Sequence, residues 1–517
     1  MTTLLRTVQR GTSAGCCRVR FATRSKSTAA QGEPEALAAA GPWDELPGPK
    51  PSPLLGNAWR FIPGVGNYAG LKTNQLFERL HEEYGPAVKL AGMPGSPTMV
   101  LLRDPVDFEK VLRSEGQWPE RRAFPSMEYY QRTYKTNRRE SLATSQGKDW
   151  GDFRSAVNQV MMQPRSVREY VEPIDAVARD FVDRMRGVRG PDGQMPADFS
   201  NEMGKWAMES ITYVALDTRL GALKSTDNTE ALAMIQALKD AFNYINQLDF
   251  QPSLWRYVTT PALRGLIKSL DYINGVAEKY VAAAMDRLQT HPKNEARHLT
   301  VLEQLLLRNE DPAMGVAMAV DMIVAGVDTT STGASLAMYC LANNPEKQQA
   351  VHEELDRVIP DPREPLSIQQ IEDLKYLKAC IKEALRCQPV AFMNIRNTGK
   401  ELVLGGYSVP KGTCVAMNSG ITSTEERYFP RADKFLPERW LPQGADLKAR
   451  HPFAYLPFGF GARMCVGKRF AELEMEAVLA RIFRSFRLEW HQPPLQTEVQ
   501  TLLQIGSPLK FTVRDRA

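Results

Sequence analysis

Cysteine is scarce in this chain, with seven residues in 517, at positions 16, 17, 340, 380, 387, 414 and 465. They form no CxxC pair and no even framework, which excludes a disulfide-stapled scaffold and favours a reducing compartment. Long apolar runs are missing too: nowhere do about 18 apolar residues follow one another, as a spanning helix requires. Excess charge is absent from the body of the chain. The formal net charge is +5, but residues 1–30 hold six basic side chains (Arg6, Arg10, Arg18, Arg20, Arg24, Lys26) and no acid, so residues 31–517 carry a net −1. Without a global basic footprint, nucleic acid is not an expected partner. No internal repeat and no second leader marks another domain. What remains is ordinary globular composition, 43% hydrophobic, 24% charged and 9% aromatic, enough for one large core.

Residues 1–40 read as a mitochondrial transit peptide and linker, because the first thirty are Arg-, Ser- and Thr-rich with scattered apolar positions and lack the apolar block of a secretory signal. The same composition also suits a plain basic tail. Arg20-Phe21-Ala22 is a candidate cleavage neighbourhood. Residues 41–517 read as one domain. It opens on Leu46-Pro47-Gly48-Pro49-Lys50-Pro51-Ser52-Pro53, where fixed φ angles and missing donors forbid helix or central strand. Leu71, Leu76, Leu80 and Tyr84 lie near helical spacing, and Ala87 to Leu90 and Thr98 to Leu102 read as short strands. Helical patterns dominate from Asp149 to about Leu341. The longest, Pro312 to Cys340, is apolar nearly all round, so it is expected at the centre of the fold. A β-like patch spans Leu402 to Met417; a helix from Val466 to about Phe483 and a terminal strand pair follow. The expected class is mainly α, with a small β-rich region.

The most informative segment is Phe458-Gly459-Phe460-Gly461-Ala462-Arg463-Met464-Cys465-Val466-Gly467, a glycine-rich loop that delivers one cysteine to the start of a helix. Helix dipole and free amides lower a cysteine pKa there, and glycines let amides approach the sulfur. Such a thiolate can hold haem iron axially. On spacing alone, a small buried hydrophobe fits Cys465 as well. Trp150 and Arg154 lie one turn apart and can face one anionic group. Glu383 and Arg386 at i, i+3 suit an ordinary exposed pair. In the buried helix, Ala325-Gly326-Val327-Asp328-Thr329-Thr330 offers a flat spot against which a planar cofactor can pack, with groups to relay protons. It equally suits a helix bent by threonine back-bonding.

These segments, in this order, resemble the signatures of the cytochrome P-450 monooxygenases. The loop matches F-x-x-G-x-R-x-C-x-G at every fixed position, and Glu383-Ala384-Leu385-Arg386, Pro437-Glu438-Arg439-Trp440 and Trp150-x-x-x-Arg154 match three more. The resemblance implies a single large helical domain with haem b, iron protoporphyrin IX, between the long central helix and the cysteine loop. It implies Cys465 as axial iron ligand, with Phe458 in the same loop, and Trp150, Arg154, Arg396 and Arg463 as contacts to the haem carboxylates. Asp328 and Thr329 become the proton-delivery pair, and Glu383, Arg386 and Arg439 a structural lock. The implied reaction inserts one atom of O2 into a lipophilic substrate, such as a sterol, an ecdysteroid or a foreign compound. A haem-thiolate isomerase or dehydratase, and a non-catalytic haem sensor or carrier, are the rival readings. The loop from Cys387 to Ile395 departs from the family pattern and leaves the substrate open.

Lys375, Lys378 and Lys382 form a basic face on the Glu383 helix. A solvated stripe explains it, but Lys378 and Lys382 also match the positions where mitochondrial members dock an acidic [2Fe-2S] ferredoxin of the adrenodoxin type, itself served by an NADPH reductase. Lys468 and Arg469 extend that surface. With the leader, this resembles the mitochondrial branch, particularly its arthropod members, and implies residence on the matrix side of the inner membrane. The aromatic segment Pro252 to Val258 reads either as a packed loop or as peripheral membrane contact. Two other patterns fail: Gly64 to Ala69 follows Pro63 with no strand leading in, and His352-Glu353-Glu354-Leu355-Asp356 lacks the second histidine of a zinc helix.

Overall fold

The computed structural model describes residue 35 and residues 37–516, except 94–95, 136–138, 217, 225–228, 252, 291–299 and 310. The expected leader lies almost wholly outside these residues, as does Pro252 of the aromatic segment.

One helix organises the rest. It runs Pro312–Ala342 and starts where the sequence dictates: Asp311 accepts from the Ala313 N–H (3.0 Å) and Pro312 fills the first turn. Buried positions recur on every side, including Met314, Met318, Ile323, Val327, Leu336 and Leu341. Each large aliphatic side chain so removed from water contributes about 1.5–3 kcal/mol. By length and composition it is also the one helix among the described residues apolar enough to cross a membrane. Here it is the core, packed on the helices Phe199–Leu216, Lys375–Cys387 and Lys468–Ser485. Small residues allow the closest approaches: a Cβ on Gly333 would lie 3.0 Å from Met475 Sδ of the last of these helices.

The β region is small. Strands β1 (Ala87–Leu90), β2 (Met99–Leu102), β3 (Asn394–Asn397) and β6 (Cys414–Met417) make one sheet in the order β1-β2-β6-β3. The β2/β6 pair is parallel and the other two pairs are antiparallel. Strands β4 (Leu402–Leu404) and β5 (Tyr407–Val409) form a hairpin through Gly405 and Gly406, whose φ angles of +58° and +88° are those of a two-residue type I′ turn. Near the C-terminus β7 (Phe486–Glu489) pairs with β10 (Thr512–Asp515), while β8 (Thr497–Val499) and β9 (Leu503–Ile505) form a second hairpin.

The mainly helical class, the central helix and the β patches agree with expectation. The segment read as a loop up to Ile395 instead enters a strand at Asn394. Its Asn-Ile-Arg-Asn composition carries no β signal, and it is a strand because β6 supplies its ladder, with Ile395 opposite Ala416 and Arg396 opposite Val415. The helix expected from Val466 begins at Lys468, leaving Gly467 as its N-cap residue.

Candidate functional site

The cysteine loop is shaped by two glycines. Gly459 and Gly461 have φ of +70° and +75°, the region open to glycine. Within it the Met464 N–H donates to the Gly461 carbonyl (3.1 Å) and the Cys465 N–H to the Phe458 carbonyl (2.8 Å). Cys465 thereby stands three residues ahead of the helix Lys468–Ser485, where the Gly467 N–H donates to its sulfur. Half-buried Phe458 packs against the main core, with the Lys468 ammonium 5.7 Å from its ring. Among the described cysteines Cys465 alone is exposed. The protein atoms packed behind it still push its thiol up; the Gly467 N–H, Arg154 and Arg121 pull down without cancelling that rise. The amide and the two guanidinium groups act in the direction expected from sequence, against the desolvation. Metal coordination deprotonates a thiol outright and would supply what is missing.

Beside the cysteine lies a set of four guanidinium groups. Trp150 and Arg154 are buried on the helix Gly147–Met161, and Arg154 Nη2 donates to the Met464 carbonyl (2.8 Å). Arg463 lies 4.0 Å over the Trp150 ring and donates to the carbonyls of Pro119 (2.9 Å), Leu142 (3.2 Å) and Ser145 (2.9 Å) and to Gln146 Oε1 (2.9 Å). Four of its five N–H groups are thus engaged in holding the 119–146 segment. Arg396, on β3, ion-pairs with Glu115 and donates to the carbonyls of Ile395 (2.8 Å) and Phe460 (3.2 Å). The fourth member, Arg121, was not singled out from sequence. Nothing in Trp118-Pro119-Glu120-Arg121-Arg122 separates it from a surface arginine, and only its fold neighbours identify it.

The electrostatics of this set ask for an anion. Burial, reinforced by the other guanidinium groups, lowers Arg121 to about 10 and Arg463 to about 9. Burial also lowers Arg154. The Nε atoms of Arg121 and Arg154 are buried without a hydrogen-bond partner. Unsatisfied buried donors cost about 1–3 kcal/mol each, so a dianionic group beside Cys465 would relieve both the repulsion and the orphaned donors. The two carboxylates of haem b fit that requirement.

Glu383, Arg386 and Arg439 come together in one ion-paired network, with side chains fully buried. Arg386 Nη2 donates to Glu383 Oε1 (2.8 Å), and Arg439 Nε lies 3.3 Å from both carboxylate oxygens. Trp440 Nε1 and the Leu436 N–H complete the carboxylate's partners. Arg386 also grips the carbonyls of Ser423 and Lys434, and Arg439 those of Pro430 and Leu447. The network ties the Lys375–Cys387 helix to the segment leading into the cysteine loop.

On the central helix a Cβ on Gly326 would lie 2.7 Å from Ile211 Cγ1, so the missing side chain serves close packing on the Phe199–Leu216 helix. The residue open to space is its neighbour Ala325. Thr329 Oγ1 donates to the Ala325 carbonyl (2.6 Å), the back-bond foreseen as the alternative, which leaves the hydroxyl oxygen able to accept. Burial raises the Asp328 carboxyl, opposed by Lys239. Asp321, two turns before Asp328, was also missed. It accepts from the Leu142 N–H (2.7 Å), and burial pushes it up to about 6. Since the Leu142 carbonyl accepts from Arg463, one residue links the central helix to the cysteine loop. Asp321 borders a cavity of about 200 Å³ lined also by Tyr130, Asn274, Val320 and Val324.

The lysine face is mixed. Lys378 is half-buried and pairs with Glu476 (3.5 Å), and Lys468 with Glu472 (3.8 Å), so neighbouring acids already relieve the like-charge spacing. Lys382 is exposed. In the aromatic segment Trp255 is buried, donating to the Leu248 carbonyl (2.8 Å) with its ring 5.5 Å from Tyr129, while Leu254, Tyr257 and Val258 are exposed.

Comparison with known proteins agrees with this geometry. The Cytochrome P450 family model matches residues 46–513. The chain is 39% identical over 516 residues to cytochrome P450 CYP12A2 of Musca domestica, covering 95% of this chain and 94% of that protein. Two Drosophila melanogaster proteins are each 37% identical: probable cytochrome P450 12a5, mitochondrial, covering 96% of this chain and 95% of that protein, and probable cytochrome P450 301a1, mitochondrial, covering 91% and 86%. The chain therefore belongs to the cytochrome P450 family, and is a monooxygenase of the kind that binds haem b through a cysteine thiolate.

Proposed function

We propose that Cys465 is the axial ligand of haem b, that Trp150, Arg154, Arg396 and Arg121 form the carboxylate site, and that the protein hydroxylates a lipophilic substrate with electrons from a mitochondrial [2Fe-2S] ferredoxin and its NADPH reductase. The observation that carries this reading is the convergence of one exposed cysteine sulfur with two unpartnered buried guanidinium Nε atoms. When bound, haem supplies O2 activation, and an axial thiolate favours O–O cleavage. The protein's part is to orient and to move protons. Arg463 holds the 119–146 segment against Trp150, with one N–H left for a carboxylate. Asp328, whose carboxyl burial pushes upward, exchanges protons, and the Thr329 oxygen accepts one hydrogen bond while its own proton rests on the Ala325 carbonyl.

Residues 41–517 form the catalytic domain and residues 1–40 the transit peptide. Residence on the matrix side of the mitochondrial inner membrane is supported by the basic leader and by relatives whose names include "mitochondrial". Exposed Leu254, Tyr257 and Val258 support peripheral membrane contact, with Trp255 serving the core. Ferredoxin docks on the face carrying Lys382, and Lys378 joins only by exchanging Glu476 for the partner's acids. The substrate is a sterol, an ecdysteroid or a foreign compound.

The test is reconstitution of leader-free protein with ferredoxin, reductase, NADPH and 18O2 over a panel of such substrates. Incorporation of one labelled atom, weakened by Lys382→Glu through a higher KM for ferredoxin, supports the reading. Rearrangement of a lipid hydroperoxide without electrons identifies an isomerase or dehydratase instead, and haem binding without either reaction a sensor or carrier.

A further inference from the structure

One acid ion-paired within the arginine set beside Cys465 belongs to no sequence motif. Glu115 ion-pairs with Arg396 across 281 residues of sequence, with side-chain exposures of 9% and 2%. Among the described residues none of Arg121, Arg154 or Arg463 has an ion-pair partner, and Glu115 also acts electrostatically on Arg463. The carboxylate presses directly on the cysteine loop: a Cβ on Gly461 would lie 2.8 Å from Glu115 Oε2. Arg396 completes the clasp from the other side by donating to the Phe460 carbonyl, one residue away. The segment that follows Glu115 is tied to β3, whose Asn397 N–H donates to the Glu120 carbonyl (2.9 Å).

From this arrangement we infer that Glu115 is a positioning residue for the haem site: it anchors Arg396 between the 114–116 turn and the cysteine loop, and its fixed negative charge sets the reduction potential of the iron held by Cys465. The inference rests on the haem reading above. Two functions are separable in one carboxylate. As a hydrogen-bond acceptor it keeps Arg396 in place, leaving two of the five guanidinium N–H groups for a haem carboxylate. As a charge it offsets one of four buried cations, and a negative charge near the iron disfavours the electron-rich reduced state.

The experiment uses holoprotein, comparing wild type with Glu115→Gln and Glu115→Ala by spectroelectrochemical titration and by the rate of haem transfer to excess apomyoglobin. Glu115→Gln keeps an acceptor for Arg396 but loses the charge, so the midpoint is expected to shift positive while haem loss stays as slow as in wild type. Glu115→Ala is expected to shift the midpoint positive and also to lose haem faster. Should Glu115→Gln not yield holoprotein, Arg396→Gln removes the opposite charge of the same pair and must move the midpoint negative. A wild-type midpoint in Glu115→Gln, or a positive shift in Arg396→Gln, overturns the inference while leaving the haem reading intact. Wild-type protein that takes up no haem overturns both.

Discussion

Glu474 is the buried carboxyl with the clearest energetic consequence. It is 1% exposed on the helix Lys468–Ser485, its Oε1 has no hydrogen-bond partner, and burial alone pushes it up to about 8. It shares a helix face with Phe470 and Arg481, which pack on Tyr170 and pair with Asp175, so it sits at the interface with the helix Val171–Val188. The fold prefers the neutral acid, whereas the unfolded chain ionises near the ordinary carboxyl value of about 4.5. Stability is therefore intact below that value and is lost as pH rises, by about 1.4 kcal/mol per pH unit, until the folded value is passed. Between about pH 6 and pH 8 the loss is about 2 kcal/mol. With an unfolding entropy of about 2 cal/mol/K per residue, a domain of this size shifts by about 1 °C per kcal/mol. Glu474→Gln cannot ionise, so over that interval its Tm should fall by about 2 °C less than that of wild type. Scanning calorimetry of both proteins at matched ionic strength measures this directly. Parallel curves for the two would refute the reasoning, because they would mean that Glu474 is solvated or partnered in the native state.

Three other predictions follow from the packing. Arg439→Ala leaves Glu383 buried with half its charge compensation removed and should cost about 3–5 kcal/mol, seen as loss of soluble holoprotein or a lowered urea midpoint; an unchanged midpoint would show the lock to be dispensable. Gly326→Val should destabilise by about 1–3 kcal/mol through overlap with Ile211, with little change in the haem spectrum of the folded fraction. A spectral change without destabilisation would show instead that the added side chain points at the cofactor. Asp321→Ala frees the Leu142 N–H and should speed haem transfer to apomyoglobin by loosening the residue held by Arg463; a wild-type transfer rate would sever that link.

Features that are local in sequence were legible in it. The glycine loop, the one-turn spacing of Trp150 and Arg154, and the all-round apolar pattern of Pro312–Ala342 each appear within a few residues of one another. What was hidden is long-range. Glu115 meets Arg396 only because β3 docks beside the 114–122 segment, and β3 is a strand only because β6 pairs with it. Arg121 acquires meaning from neighbours contributed by four other segments. Gly326 shows the same limit: a missing Cβ announces close approach, but only the packed helices show that Ile211 approaches its Cβ side. Lys378 has the spacing of a docking face, yet Glu476 on a neighbouring helix already occupies it.

The central claim is that the Cys465 sulfur ligates haem iron, and the reduced, carbon monoxide-treated absorption spectrum of leader-free wild type and Cys465→Ser tests it most directly. A strongly red-shifted Soret band in wild type that is lost in Cys465→Ser, while Cys387→Ser retains it, is the expected result. A wild-type protein without haem, or an unshifted band indifferent to Cys465→Ser, would contradict the account.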